Sequence, residues 1–477
     1  MRSEVLNAAA RRNMFLSPEA LEMILSNSEP MALTNTVLSA LSSNSMFVTK
    51  EDIMGCIAGD APLFGCGKPI TPRNKKHHDI QVVTETDVTG QSTCEGTIED
   101  LARFFQSRYS SLKRLIERRR DFGIAMPIAR AMSLDRETKI IGIVSDRAIT
   151  KNGHMILTLE DDSGICKALI SKDSPLIGEI IVNDEVVGVA GKRAGNGGLY
   201  IISEIFRPDI PFNNAWVPSD TSSKVAFLSD VHVGSRTFLD SNWKRMIRWL
   251  KDNAYDCELN YIILPGDVVD GIGIFPDQDK ELDISDIYVQ YETLSEYLKE
   301  IPDHIKMVLQ PGNHDAARPA EPQPALSEVF TKTFDSNVIM TGNPVNIRIE
   351  GRNILTYHGR SMDDWITGVQ KLTYDDPTGV MKEMLVRRHL APIYGQKTAL
   401  APEKKDYLIM ETVPDIFVSG HVHGAGVMEY RGVKTINAST WQSQTDYQKM
   451  HNFNPDPGIM PIVDLGSGRV NMKNFMM

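Results

Sequence analysis

Five short apolar runs, each cut off by a polar motif with a glycine in it, constrain this 477-residue chain more than any other feature. Val225–Leu228 leads into Asp230 and His232, and Tyr261–Leu264 into Gly266, Asp267 and Asp270. Ile305–Leu309 leads into Gly312, Asn313, His314 and Asp315. Ile354–Tyr357 leads into His358 and Gly359, and Ile416–Val418 into Gly420, His421 and His423. Apolar runs of this length closed by a turn read as buried strands. Helical periods at Trp243–Leu250 and Ile287–Lys299 lie between them, which is the pattern of an α/β layered fold. Parallel strands of such a fold end on one edge, so the five loops can meet in one crevice. A single Asp-x-His is weak evidence, and a lone histidine is usually structural. Five of the eleven histidines at equivalent places are neither.

The donor set narrows the chemistry. Asp230, His232, Asp267, Asn313, His358, His421 and His423 offer carboxylate, imidazole and amide, with no thiolate. That set suits Mn²⁺, the expected metal, with Fe and Zn²⁺ as alternatives, better than it suits an all-oxygen Mg²⁺ or Ca²⁺ cage. Seven side chains exceed the needs of one ion and suffice for two. Two divalent ions roughly 3.5–4 Å apart would clamp a phosphate for in-line attack by water. Asp267 is the natural bridge between them. His314, left over in this count, is placed to stabilise developing charge or to protonate a leaving oxygen. Asp270 and Asp315 read as groups that orient histidines or cap loops.

The rest of the chain divides by texture. Residues 1–58 read as a small helical N-terminal unit with Ser17 as an N-cap. Residues 59–97 read as a flexible linker in which His77 and His78 are solvated. Residues 98–137 read as an amphipathic helix and connector with a basic face of Arg103, Arg108, Lys113, Arg114 and Arg118 to Arg120. Such a face is ordinarily solvated, with phosphate contact as the alternative. Residues 138–212 hold five short strands interrupted at Pro175–Ile181, which suggests an all-β OB-fold barrel. Tyr200 and Phe206 are the aromatics in those strands, so the barrel reads as a protein-contact element before a stacking platform. Residues 222–477 form the α/β domain.

A net charge of −11 argues against an overall electrostatic grip on nucleic acid but leaves room for a local basic groove. No stretch approaches the roughly 20 apolar residues of a membrane span. The first residues lack the apolar core of a signal peptide. Cys56, Cys66, Cys94, Cys166 and Cys257 are scattered and odd in number, and read as reduced thiols of a cytosolic protein.

The combination D-x-H, G-D-x-x-D, G-N-H-D, H-G and G-H-x-H resembles the signature of the calcineurin-like metallophosphoesterase superfamily at every position. Helical unit, linker, OB-like barrel and phosphoesterase domain together resemble the small subunits of archaeal family D DNA polymerases. RRHLAPIYGQKTALAPEKKDYL at 387–408 and NASTWQSQTDYQKMHNFNPDPG at 437–458 share that likeness. The resemblance implies a calcineurin-like sandwich over 222–477, the seven metal ligands above and a catalytic His314. It implies a proofreading 3′–5′ exonuclease acting on single-stranded or primer-terminus DNA. It also implies pairing with a large polymerising subunit, contact with a sliding clamp through that complex, and a place at the nucleoid in the archaeal cytosol. The related accessory subunits of eukaryotic replicative polymerases keep the fold but have lost metal ligands. Retention of the ligands here favours an active nuclease over the alternative, a scaffold with residual hydrolysis. A free-standing phosphatase or cyclic-nucleotide phosphodiesterase would need neither barrel nor linker. Trp365, Tyr394, Trp441 and Tyr447 follow ligand strands and are candidates to stack a 3′-terminal base, with core burial as the alternative. Lys397, Lys404 and Lys405 are candidates to track the backbone.

Overall fold

Alternation along Val225–Leu228 shows how the large unit is layered. Val225 and Phe227 pack into a core shared by two sheets, whereas Ala226 and Leu228 pack beneath helices on the opposite face. This is the period of two that puts successive strand residues on opposite faces. The computed structural model describes residues 79–195, 198–450 and 453–476, and before them 2, 5, 8, 15, 16, 18–27, 30–40, 47, 48 and 53. The chain divides into two units, Met1–Lys76 and His77–Met477. In the first, α1 (Pro18–Leu25) and α2 (Pro30–Ala40) bury Ala20, Leu21 and Ile24 together with Val37 and Leu38. Phe15–Leu16 pairs in parallel with Phe47–Val48. Ser17, His77 and His78 lie outside the described residues.

The second unit is a mixed α/β fold with a closed barrel. Its first sheet has six strands in the order β10 (Val338–Met340), β9 (Lys306–Gln310), β8 (Leu259–Pro265), β7 (Lys224–Phe227), β16 (Ile459–Asp464), β17 (Val470–Asn474). Strands β7 to β10 run parallel. The second sheet, also of six strands, has the order β14 (Ala425–Tyr430), β15 (Val433–Ala438), β13 (Ile416–Ser419), β12 (Arg352–Thr356), β11 (Val345–Ile349), β1 (Ile80–Val82). In it β12, β13 and β15 run parallel. The sheets meet through Phe227, Tyr261, Ile263, Ile347, Ile354, Val418 and Ile436. On the outer face of the first sheet, helices α4 (Asp240–Asn253) and α5 (Ile287–Lys299) add Trp243, Met246, Leu294 and Leu298 to a second core. On that of the second sheet, α6 (Met362–Gly368) and α7 (Pro377–Arg387) contribute Trp365, Met381 and Met384 to a third.

The barrel closes in the order β2 (Thr138–Ile149), β3 (Met155–Asp161), β4 (Gly164–Ile170), β6 (Leu199–Phe206), β5 (Val186–Arg193). Closure depends on the long β2, whose first half pairs with β5 and whose second half pairs with β3. An irregularity between Val144 and Asp146 bends it between the two. Tyr200 and Phe206 are both buried, so neither offers a ring to a ligand. No helix among the described residues is long and apolar enough to cross a membrane.

Two expectations change. Residues 79–97 do not behave as a free linker. Ile80–Val82 adds an edge strand to the second sheet, and Asp87 accepts hydrogen bonds from the Gly342 amide. Ser92 Oγ donates to Glu403 at 2.6 Å. Arg108 is likewise no part of a solvated basic face. It sits on α3 (Ile98–Glu117), whose start is fixed by reciprocal hydrogen bonds between Thr97 and Asp100. Tyr109, Leu112 and Ile116 of α3 pack on the barrel, whereas Arg108 points into the α/β part and is fully buried. Its Nε meets Asp406 at 2.7 Å, and its guanidinium lies 5.1 Å from the rings of Phe104 and Phe105. Burial works against the charge of Asp406, but His389 and Arg108 outweigh it and hold the carboxyl below its usual range. Removing one partner of a buried pair strands the other charge, at a cost of ~3–5 kcal/mol. Arg108→Ala is therefore expected to lower the urea midpoint of the large unit by that equivalent. An unchanged midpoint would mean that α3 is held by its apolar face alone.

Candidate metal centre

The five apolar runs become β7, β8, β9, β12 and β13, and each is followed within a few residues by the polar groups that its motif contains. β7, β8 and β9 are neighbours in the first sheet, and β12 and β13 are neighbours in the second. The motifs after β7, β8, β9 and β13 line one cavity of ≈ 520 Å³, within the range of small-ligand sites, and Asp363 of α6, which follows β12, completes its wall. The turns that deliver the ligands are strained. Asp230, His232, Asp267, His421 and His423 have φ of 51°, 53°, 49°, 69° and 55°, the left-handed region that residues with a Cβ seldom occupy. Hydrogen bonds between the loops hold them there. The Asp230 amide donates to Gly266 O at 3.1 Å and that of His232 to Asp267 O at 3.1 Å. The His314 amide donates to Asp267 Oδ1 at 2.8 Å, and that of His421 to Asp230 Oδ2 at 2.9 Å. Glycine is required where the loops press together: a Cβ on Gly420 would collide with Ser229 Oγ and the Asp230 carboxylate.

Two ligand groups result. Asp230, His232 and His423 each bring one donor atom, all within 4.8 Å of one another, and Asp267, His358 and His421 do the same. His423 Nε2 lies 3.4 Å from Asp230 Oδ1 and 3.1 Å from His232 Nε2. His358 Nε2 lies 3.2 Å from Asp267 Oδ2 and 3.1 Å from Asn313 Oδ1. Asp267 Oδ2 is also 3.9 Å from His232 Nε2, so this one carboxylate reaches both groups. All seven residues thus come together. A third set, His232, Asp270 and His314, overlaps the first.

Groups behind the ligands set which ring nitrogen faces inward. Asp270 Oδ1 sits 3.0 Å from His232 Nδ1, and Pro265 O sits 3.0 Å from His358 Nδ1. Both oxygens only accept, so each neutral ring carries its proton on Nδ1 and turns a lone pair toward the carboxylates. Lone pairs facing carboxylate and amide oxygens at about 3 Å are an arrangement that a cation between them satisfies. The electrostatics agree. Burial opposes a charge on His358, yet Asp267 and Asp230 raise its pKa to about 10, so without a cation the ring holds a second proton at Nε2, the one that a bound cation would replace. Burial likewise pushes against ionised Asp230 and Asp267, and the surrounding histidines overcome it and keep both carboxyls low. Asp315 is different. It accepts from the amides of Gly312, Val268 and Val269 and from Tyr291 Oη, which caps the loops, and burial with the charge of Asp267 lifts its pKa to about 6. His314 lines the cavity half-buried, with Nδ1 2.8 Å from Asp270 O and its ring edge-on to His232 at 4.7 Å.

The chain is similar to known DNA polymerase subunits. The family profile of the B-type subunits of DNA polymerases alpha and epsilon matches residues 225–424, which span all five ligand loops. The DNA polymerase II small subunit of Archaeoglobus fulgidus is 41% identical over 396 residues, 82% of this chain and 80% of its own. That of Thermoplasma acidophilum is 40% identical over 382 residues, 80% of this chain and 78% of its own. That of Methanothermobacter thermautotrophicus is 35% identical over 480 residues, covering 97% and 98%. The chain belongs to the DNA polymerase II small-subunit family. The resemblance to the archaeal family D small subunit read from the motifs therefore holds.

The aromatics expected to stack a base in this small subunit fare differently. Trp365 and Trp441 are fully buried. Trp365 donates to Leu390 O at 3.4 Å, and Trp441 packs edge-on against Trp243 at 5.0 Å, so neither has a face to offer. Tyr394 is half-buried against Phe105 and does not line the cavity. The side chain of Tyr447 lies outside the described ones. Of the three lysines, Lys397 lines the cavity, Lys405 is bonded to Glu85 O, and Lys404 is exposed. Sequence reading misses the groups that back the ligands: Asp363, 3.4 Å from His421 Nε2, and Gln448, 2.9 Å from His423 Nδ1. It also misses Phe275, Tyr374 and Phe453 on the cavity wall. The apolar stretch Gly271-Ile272-Gly273-Ile274-Phe275 beside a ligand motif is a usable signal for the first of these.

Proposed function

We propose that this polymerase small subunit is a proofreading 3′–5′ exonuclease that hydrolyses phosphodiester bonds in DNA with two divalent metal ions, Mn²⁺ for preference. In this reading 138–212 is an OB-fold, 222–477 is a calcineurin-like phosphoesterase domain, and the chain works together with the large polymerising subunit. The observation that carries it is the reach of Asp267 into both ligand groups, which gives a site shaped for a pair of ions. Such ions supply Lewis acidity toward a phosphoryl oxygen and an activated water. The chain's own residues do the rest. Asp230, His232, Asp267, Asn313, His358, His421 and His423 hold the charge. Asp270 and Asp363 orient His232 and His421. His314 turns its outer ring nitrogen to the cavity, because Nδ1 donates to the Asp270 carbonyl, and as an imidazolium it would give the leaving oxygen a proton from there. Lys397 contributes the positive side chain that a strand's phosphates would meet at the cavity. The full chain with Mn²⁺ is expected to shorten 5′-labelled single-stranded DNA stepwise from its 3′ end, and a chelator is expected to stop it. Release of label from the 5′ end, or equal activity in the chelator, would remove the assignment.

A further inference from the structure

Three aromatic side chains stand on the cavity wall and are not themselves candidate ligands: Phe275, Tyr374 and Phe453. All three are half-buried. Phe275 and Phe453 belong to none of the apolar cores of the α/β domain, so their rings are not there to fill an interior. Phe275 lies 6.4 Å from the ring of His314. Tyr374 and Phe453 meet edge to face at 5.7 Å, and the Tyr374 hydroxyl donates to Asp363 Oδ1 at 2.8 Å, the carboxylate that backs His421. One ring thus adjoins the His314 side of the site and the pair adjoins the His421 side.

The loop that carries Phe275 is held in advance. Gln278 Nε2 donates to Asp270 O and Oδ2, and Gln278 Oε1 accepts from the Ile274 amide. Gln290 bonds both the amide and the carbonyl of Gly271. The rings of Phe275 and Phe453, left half-exposed beside buried carboxylates and imidazoles, lose hydration without gaining a core. A flat, polarisable ligand that covers their faces recovers that cost.

We infer that Phe275, Tyr374 and Phe453 grip the terminal nucleobase of a DNA strand whose phosphate lies at the ligand groups. The inference rests on the phosphodiesterase reading above for the position of the phosphate. Rings read the face of a base and not its edge, so the grip accepts all four bases. The same rings take over the role that sequence reading assigned to Trp365 and Trp441.

The test uses the full chain and an oligonucleotide whose 3′-terminal base is 2-aminopurine, set beside an abasic residue so that it fluoresces brightly when free. With Ca²⁺ in place of Mn²⁺ to slow hydrolysis, the parent protein is expected to quench the terminal base. Phe275→Leu and Phe453→Leu keep apolar bulk and the fold but lose the flat ring. Each is expected to weaken quenching and to bind base-bearing ends roughly tenfold more weakly. Tyr374→Phe, which keeps its ring, should retain the quenching, whereas Tyr374→Leu should not. In the hydrolysis assay with Mn²⁺, the parent should prefer a base-bearing over an abasic 3′ end, and the Leu variants should not. No quenching by the parent, or equal quenching by parent and Leu variants, overturns the grip. Quenching without hydrolysis would keep the grip and remove the exonuclease, and hydrolysis without quenching would do the reverse.

Discussion

Asp267→Asn is expected to cost the protein its paired metal site and with it almost all hydrolysis. The substitution preserves shape and leaves an oxygen to accept the His314 amide, so the loop survives. What it removes is the one negative charge placed 3.2 Å from His358 and 3.9 Å from His232. Each ion contributes several kcal/mol of charge stabilisation in a two-metal displacement. Loss of the shared carboxylate therefore predicts a fall of ~10³-fold or more in the rate of DNA hydrolysis. Elemental analysis should find fewer than two Mn²⁺ per chain. Melting offers a readout independent of activity. Ions that bind only the folded chain raise its stability with concentration, and the variant should lose most of that rise. A variant that binds two Mn²⁺ and hydrolyses DNA like the parent would show that Asp267 is an ordinary buried acid.

The ligand loops are legible in the sequence because the signal is double. Each apolar run marks a strand, and each strand's polar stop falls at the same end, so adjacency in the sheets follows from the α/β pattern. The same local logic places α4 and α5. It fails where the deciding partner is remote. Arg108 sits beside apolar residues on a basic helix, and nothing within that helix points to Asp406, 298 residues away. Ile80–Val82 is too short to show alternation and is a strand because β11 leaves an edge for it. Trp441 lies where a base-stacking residue would be sought, directly after β15, the sheet neighbour of ligand strand β13. Its amide donates to Asp230 O at 2.9 Å, which pins the segment beneath the site, while its indole packs on Trp243. Position along the chain indicates proximity to the site, but not which way a ring points. Phe275, Tyr374 and Phe453 come from three separate segments, and only tertiary structure brings them to one cavity.

His314→Ala should separate proton transfer from metal binding. His314 shares a set of candidate donors with His232 and Asp270, so a ligand role is a real competitor to an acid role. The two differ in what the variant keeps. A ligand variant loses metal, whereas an acid variant retains two Mn²⁺ per chain, keeps the thermal stabilisation they give, and slows DNA hydrolysis by ~10²–10⁴-fold, the range for loss of a positioned general acid. The Asp270 carbonyl that accepts from Nδ1 aims the remaining nitrogen at the cavity, where it serves either role, so the metal content decides between them. Leaving-group chemistry makes the distinction sharper. The 3′ oxygen of a DNA strand needs a proton as it departs, but p-nitrophenolate does not. On the p-nitrophenyl ester of thymidine 5′-phosphate the variant should therefore recover most of its lost rate. An equal defect on both substrates would place His314 at the developing charge on phosphorus. Loss of metal would place it among the ligands. Polymerisation by the two-subunit complex should be indifferent to the change, because an acid at this cavity has no part in holding the partner.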